Sequence, residues 1–353
     1  MEWKEYKLSQ LLTIKNGKDY KHLPAGNVPV FGSGGHMCSV GKCLHDGESI
    51  LLPRKGTLSN IQYYNGAFWT VDTCFYSIVN TEAAVPYYLY LYLKNLDISG
   101  LDTGASIPSM TTETYYGIKL KLPSLIYQEK VADIVLAYDT LIDINTKRIK
   151  LLEETARELN KEWFVRMRFP GHEQTKFVKG IPNGWGYKKI TDLLDIKYGK
   201  DHKMLEDGRY PCYGSGGVMR YVNKYLCDGE SVLIPRKGSL NNIMIVNGSF
   251  WTIDTMFYTI PKMGNVAKYA YFMLSSLDME SLDAGAALPS MTTNILSNMD
   301  ILLPSQDILE QFEAYLSPMF NGMETLTKEN QNLATTRDRL LPRLLSGELK
   351  VKA

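Results

Sequence analysis

Cysteine is scarce and scattered in this chain. Five residues, at 38, 43, 74, 212 and 227, form an odd set without paired spacing, which excludes a disulfide framework and suits free thiols in a reducing compartment. Charge of one sign is also missing: 39 Lys and Arg stand against 38 Asp and Glu, a formal net charge of +1, so bulk charge alone does not make this a nucleic-acid binder. Affinity of that kind has to come from local patches or from a partner. No apolar run approaches the ~18 residues that a membrane span needs, and the start, where Glu2 and Lys4 flank Trp3, has no signal-peptide pattern. The reading is a cytoplasmic protein that makes no use of a membrane. Neither a Gly-x-x-x-x-Gly-Lys-Ser/Thr loop nor a strand-borne Gly-x-Gly-x-x-Gly is present, which argues against ATP or dinucleotide chemistry. The N-Pro-Pro-aromatic segment that amine methyltransferases place around a flipped base is missing too.

What is present begins with length and pattern. The 353 residues, 44% hydrophobic and 22% charged, are enough for two or three ordinary globular domains. From Leu125 to Arg168 no Gly or Pro interrupts a helical pattern, and Val131, Val135, Tyr138, Ile142, Ile149, Leu152, Ala156, Leu159 and Trp163 follow steps of three and four, with Asn145 as the polar break. A second such stretch, 306–349, carries Phe312, Met319, Met323, Leu326, Leu333, Leu340 and Leu344 on the same period, with Pro318, Gly322 and Pro342 expected to interrupt it. Two long helices with narrow apolar seams pair most simply with each other, and a whole domain between them favours an antiparallel coiled coil.

The rest of the chain is one unit written twice. Gly32-Ser33-Gly34-Gly35 returns as Gly214-Ser215-Gly216-Gly217, Pro53-Arg54-Lys55-Gly56 as Pro235-Arg236-Lys237-Gly238, and Phe68-Trp69-Thr70-Val71-Asp72-Thr73 as Phe250-Trp251-Thr252-Ile253-Asp254-Thr255. From Gly47 to Tyr76, 20 of 30 residues are identical in Gly229 to Tyr258. After one deletion, Gly104 to Thr112 matches Gly285 to Thr293. A period this long is a domain duplication, which predicts a pseudo-twofold object. The expected fold class is α+β: mixed domains over 1–124 and 169–305, and spacer helices over 125–168 and 306–349. Within a domain, Gly17-Lys18-Asp19 reads as a turn, Ser49 to Leu52 as a strand, Val85 to Lys94 as a short helix, and Thr111 as the start of a turn or helix. Asp46-Gly47 reads as a turn, Asn65-Gly66 as the turn of a hairpin between β-prone runs, and 164–183 as the linker into the second copy.

Candidate chemistry is local. His36, Cys38, Cys43 and His45 have zinc-like spacing, but their counterparts Val218, Arg220, Tyr225 and Cys227 do not, so the fold does not require a metal there. Asp46, Glu48 and Asp72 recur as Asp228, Glu230 and Asp254 without the lysine spacing of a common nuclease core; Asp72 reads as a satisfied structural polar group. No catalytic residue and no metal ligand is assigned. The Pro-Arg-Lys-Gly loops are the better candidates: Arg54 and Arg236 offer a planar fork for a guanine edge or phosphate, and Lys55 and Lys237 a point charge. The segments Gly32, Ser33, Gly34, Gly35 and Gly214, Ser215, Gly216, Gly217 are either anion-holding nests or tight turns. Lys18, Lys200, Thr57, Ser239, Tyr20 and Tyr213 complete the candidate DNA-binding set.

The whole chain resembles the specificity subunits of Type I restriction-modification systems. Besides the two tandem domains, the resemblance is carried by Leu122-Pro123-Ser124 running into Gln128-Glu129-Lys130-Val131-Ala132-Asp133-Ile134, by Leu151-Leu152-Glu153 through Asn160-Lys161-Glu162-Trp163-Phe164, and by the terminal Leu340-Leu341-Pro342-Arg343-Leu344-Leu345-Ser346-Gly347-Glu348-Leu349. It implies a non-catalytic subunit whose two target-recognition domains each read one half of a gapped site on double-stranded DNA. The paired helices would set the gap and carry two methyltransferase subunits, with restriction/translocase subunits joining for cleavage. It implies no cofactor in this chain, S-adenosylmethionine being bound by the methyltransferase. The departure is that the two domains here are unusually alike. The other readings kept open are a duplicated-domain nuclease and a protein scaffold without DNA readout.

Overall fold

The computed structural model describes residues 3–97, 108–282 and 290–351. They form two compact units, Met1–Asn145 with Lys328–Ala353, and Thr146–Thr327. The divisions fall inside the long helices, so each unit joins one copy of the repeat to a part of each helix.

The first unit runs β1 (Lys4–Lys7), a helical turn α1 (Leu8–Leu11), β2 (Leu12–Lys15), β3 (Ala25–Gly32), β4 (Gly35–Val40), β5 (His45–Pro53), β6 (Gln62–Thr70), β7 (Cys74–Val79), α2 (Pro86–Lys94), α3 (Thr112–Gly117), β8 (Lys119–Leu122) and into α4 (Leu125–Asn160). Six strands form one sheet in the order β2-β7-β5-β6-β3-β4, antiparallel except where β3 meets β6. Proline at the first position of α2 supplies a preset φ and lacks only an N–H that would have had no helical partner. Thr111 caps α3 by accepting from the Thr114 amide, so the helix starts where the sequence places it. Leu8, Leu11, Ile50, Leu52, Phe75, Tyr88, Leu91 and Tyr115 make a core that also takes Val131 and Val135 of α4. Burying each such side chain contributes about 2 kcal/mol.

The second unit repeats this plan with β9 (Phe177–Val178), β10 (Ile181–Pro182), β11 (Gly186–Lys189), α5 (Ile190–Leu193), β12 (Leu194–Tyr198), β13 (Asp207–Gly214), β14 (Gly217–Val222), β15 (Cys227–Asp228), β16 (Ser231–Pro235), β17 (Met244–Val246), β18 (Ser249–Thr252), β19 (Met256–Pro261), α6 (Ala267–Ser275), α7 (Thr293–Ser297), β20 (Asp300–Leu303) and α8 (Gln306–Leu345). Here the sheet divides into β12-β19-β16-β17 and β14-β13-β18-β15. The cut falls at Gly229 and Gly248, which exchange two backbone hydrogen bonds and both have positive φ.

The same pair explains a correction. Asn65-Gly66 is no hairpin turn and Asp46-Gly47 no turn before a strand: β5 and β6 run through both, with Gly47 paired to Gly66, at φ of +130° and +128°. Only glycine takes that conformation freely, so the ribbon bends there and the reversal lies at 54–61 instead. The bend has a measurable consequence. Gln62 at the start of β6 donates to the Gly32 carbonyl at 3.1 Å, while Thr70 at its end pairs with Phe31. Eight straight strand steps of about 3.3 Å would separate those two residues by roughly 26 Å, too far for both to meet neighbours on β3.

In each unit the two long helices run antiparallel. In the first, Tyr127 bonds the Leu344 carbonyl at 3.0 Å, Asp139 pairs with Arg337, and the Ile142 carbonyl accepts from Asn330 at 3.3 Å. In the second, Leu152 lies against Gly322, and Trp163 meets Phe312 at 5.5 Å and Tyr315 at 5.6 Å between ring centroids. Every seam residue of α4 named from the heptad pattern is buried or half-buried, Asn145 included. The interruptions expected at Pro318, Gly322 and Pro342 do not occur, because α8 continues through all three: Pro318 and Pro342 stand on its exposed side, and Gly322 faces Leu152. α4 ends at Asn160 and passes into a π-helical turn, Lys161–Val165. The expected linker is packed in its first part, with Phe164 against Tyr269 at 4.8 Å and Phe169 against Trp185 at 4.8 Å.

Candidate nucleic-acid interface

Five strings shared by the two copies lie far apart in sequence and converge in space. Gly17 begins the set: a Cβ there would sit 2.0 Å from the Val71 carbonyl oxygen, so only glycine allows this approach, and the Lys18 amide then bonds the Thr70 carbonyl at 2.8 Å. Trp69 closes the loop by donating its indole N–H to the Lys18 carbonyl at 2.8 Å. The backbone of Arg54 is held from two sides, its amide on the Thr73 carbonyl at 2.8 Å and its carbonyl on the Met110 amide at 2.9 Å. Lys55 forms a bridge with Ser109. Gly32 to Gly35 is a two-residue hairpin turn between β3 and β4, and Ser33 accepts from the Asn60 amide at 2.8 Å. Of the matching strings Gly104 to Thr112 and Gly285 to Thr293, residues 104–107 and 285–289 lie outside the described residues.

The second copy reproduces the cluster bond for bond. A Cβ on Gly199 would lie 2.0 Å from the Ile253 carbonyl oxygen, and the Lys200 amide bonds Thr252 at 2.9 Å. Arg236 donates its amide to Thr255 at 2.8 Å and accepts from Met291 at 2.9 Å, and Lys237 bridges Ser290. Asn242 reaches the Ser215 carbonyl at 2.7 Å, across the turn Gly214 to Gly217.

The side chains of the cluster are arranged for contact outward. Arg54 Nη1 donates to the Asp72 carbonyl at 3.5 Å and its guanidinium lies 5.7 Å from the Phe75 ring centroid. Arg236 Nη1 donates to the Asp254 carbonyl at 2.6 Å, over Tyr198 at 4.7 Å and Phe257 at 5.3 Å. A guanidinium carries five N–H donors, so a fork held at one corner over an aromatic ring is preorganised and still has donors to give. Lys18, Lys55, Thr57, Lys200, Lys237 and Ser239 are exposed, and among the described residues no carboxylate pairs with any of the four lysines. In each unit two such lysines stand with one part-occupied fork, a local concentration of cationic donors on a chain of net charge +1.

Two candidates stand apart. Tyr213 is half-buried against Phe250, 6.2 Å between ring centroids, and burial, with Tyr221 and Glu324 nearby, raises its hydroxyl above the ordinary tyrosine range. Phe31 fills the same place in the first copy, so the position packs. Tyr20 lies against Val30, Val40, Trp69 and Val71. Asp72 and Asp254 take part through their backbone carbonyls, with exposed carboxylates, which corrects their reading as satisfied polar side chains. Of the other carboxylates, Glu48 accepts from Tyr63, and Glu230 binds Lys268 at 2.6 Å. His45 meets Phe68 edge to face and lies tilted against Tyr76, both at 5.5 Å between ring centroids, so its ring packs between them. Gly17, Asn60 and Thr73, with Gly199, Asn242 and Thr255, were missed as members of the cluster. Their identity in both copies was the available signal.

The family described as Type I restriction modification DNA specificity domain matches residues 1–154 and again 182–335. The chain is 27% identical over 322 residues to the Type I restriction enzyme MjaIX specificity subunit of Methanocaldococcus jannaschii, covering 80% of this chain and 73% of that one. It is 21% identical over 461 residues to the HindI specificity subunit of Haemophilus influenzae, covering 99% and 100%. In fold it is similar to the crystal structure of a Type I restriction-modification S subunit from M. genitalium, with a TM-score of 0.72 at 16% identity over 97% of this chain and 96% of that one.

Proposed function

Because the chain belongs to the family of Type I restriction-modification DNA specificity domains, which it contains twice, we propose that it reads a gapped, bipartite target on double-stranded DNA, one half-site per domain. The observation that carries this reading is the duplicated cluster of cationic side chains around Arg54 and Arg236, in which Lys18 and Lys200, and Lys55 and Lys237, are identical and exposed. Exposed lysines are under no packing constraint, so packing alone does not account for their identity in both copies. Phosphate contacts from the lysines would position each domain, and the arginine forks would reach base edges in the major groove. Two domains so alike would read like half-sites on opposite strands, giving a near-palindromic target.

The long helices set the gap between the half-sites and carry the other subunits. Leu136, Leu141 and Ile144 on α4 are 44%, 40% and 46% exposed, apolar side chains that a bound subunit would cover. Two methyltransferase subunits, which hold S-adenosylmethionine and transfer its methyl group to adenine, and restriction/translocase subunits complete the assembly. This chain supplies recognition and no catalytic group. Among the described residues no helix is long and apolar enough to cross a membrane. Mapping methylated adenines in cells carrying the complete system tests the reading. A gapped target that disappears when this chain is deleted supports it, and methylation that persists or shows no sequence preference overturns it.

A further inference from the structure

The two copies share their loops and part company in the hairpin beside them. Between Gly17 and His45 and between Gly199 and Cys227 the lengths are equal, so every residue has a counterpart. In the first copy the edge is small or polar: Asn27, Cys38, Ser39 and Cys43, with Met37 as the exposed large apolar side chain. The counterparts in the second are Arg209, Arg220, Tyr221 and Tyr225, and Met204, Val218, Met219, Tyr221 and Tyr225 are all 47–93% exposed.

This edge is ordered. Arg220 is clamped by the Asp207 carboxylate at 2.8 Å and the Leu205 carbonyl at 2.9 Å. Arg209 lies over the Tyr210 ring at 4.9 Å while donating to its hydroxyl at 2.8 Å, and Tyr210 meets Tyr225 at 5.2 Å between centroids. The hairpin is also built onto the shared cluster, since Met219 sulfur lies 2.5 Å from where a Cβ on Gly214 would stand. Exposed aromatics and a stacked arginine, on a hairpin whose turn Gly214 to Gly217 belongs to the shared cluster, match the chemistry of a DNA groove: rings to pack on sugars and thymine methyls, a fork for guanine.

We propose that the β13–β14 hairpin, through Arg209, Tyr221 and Tyr225, makes the base contacts that distinguish the second half-site from the first. The shared loops grip equivalent positions in both halves, and the hairpin reaches the adjoining base pairs only in the second. This rests on the reading of the chain as a DNA specificity subunit. The test uses the full chain in complex with its methyltransferase, with methylated sites mapped by sequencing. Replacing residues 207–225 by the sequence of 25–43 should convert the second half-site into the reverse complement of the first and leave a perfect palindrome. An unchanged second half-site, with methylation retained, overturns the proposal and leaves the reading as a specificity subunit intact. No sequence preference in the unaltered complex would instead overturn that reading. Should the graft fail to fold, the combined exposed changes Arg209→Asn, Tyr221→Ser and Tyr225→Cys, which leave the Arg220 clamp in place, decide the matter. They should cost roughly ten-fold in preference at the second half-site and nothing at the first; equal preference at both halves overturns the proposal.

Discussion

Asn145 of α4 donates its amide to the Glu329 carboxylate of α8 at 3.2 Å from a position that is only 1% exposed, in the middle of an otherwise apolar seam. Beside it Asn330 bonds the Ile142 carbonyl, so one layer of the helix pair is polar on both sides. A buried asparagine in a coiled-coil seam fixes register at a cost in stability. The change Asn145→Leu should therefore raise the unfolding free energy by about 1 to 2 kcal/mol and let the complex accept more than one gap length. Thermal melts with methylated-site mapping check this. A lower melting temperature with a single gap would contradict the role.

Insertion into α4 tests the helices as a spacer. Four extra residues after Lys150 lengthen a helix by ~6 Å, nearly two base-pair steps at ~3.4 Å. The preferred gap should change while both half-sites keep their sequence. An altered half-site with the original gap would place readout in the helices.

Lys268 of α6 bridges Glu230 at 2.6 Å and Glu313 at 2.5 Å, joining sheet to spacer helix in the second unit. Burial works against its charge, but the bonds to both carboxylates outweigh burial and hold its ammonium above the ordinary lysine range. Folded pKa above unfolded pKa means the contribution is complete through neutral pH and fades only as pH climbs past about 10.4. Lys268→Met leaves two carboxylates facing each other and should cost about 3 kcal/mol, read by urea unfolding at pH 7. A loss under 1 kcal/mol would show that solvent satisfies the pair.

The cysteines should separate by reactivity. Cys43 is exposed, while Cys74 is fully buried and its thiol is pushed up to about 12 by burial, so at pH 8 roughly one in ten thousand is thiolate. Brief alkylation of the folded protein followed by peptide mass spectrometry should label Cys43 and spare Cys74. Comparable labelling of both would contradict the packing around Phe68 and Leu51.

The helices were legible because a heptad seam is a local signal repeated many times, and even Asn145 kept its place in the count. The duplication was equally legible, as was each short helix with a proline or threonine at its start. The hairpin at Asn65-Gly66 was misread because Asn-Gly reports only that φ is positive, and positive φ bends a strand as well as ending one; the deciding partner, Gly47, lies across the ribbon. The site was legible in its pieces and not in its assembly. Pro-Arg-Lys-Gly stood out by its charges, but its supports act through contacts that no spacing rule encodes: Gly17 by close approach to the Val71 carbonyl, Asn60 by its side-chain amide on the Ser33 carbonyl, and Thr73 by its own carbonyl. Tyr213 shows the converse, an aromatic near the motif in sequence that the fold turns inward.

The arginine forks test the central claim most directly, because they occupy equivalent positions, one per domain, each held at one corner by a backbone carbonyl. Half-site-resolved methylation by the assembled complex, measured for Arg54→Ala and Arg236→Ala on targets with single base changes in either half, should show a loss of ~1 to 3 kcal/mol of discrimination confined to one half-site for each variant. The two variants should lose opposite halves. Equal loss at both halves, or none at either, would contradict the account.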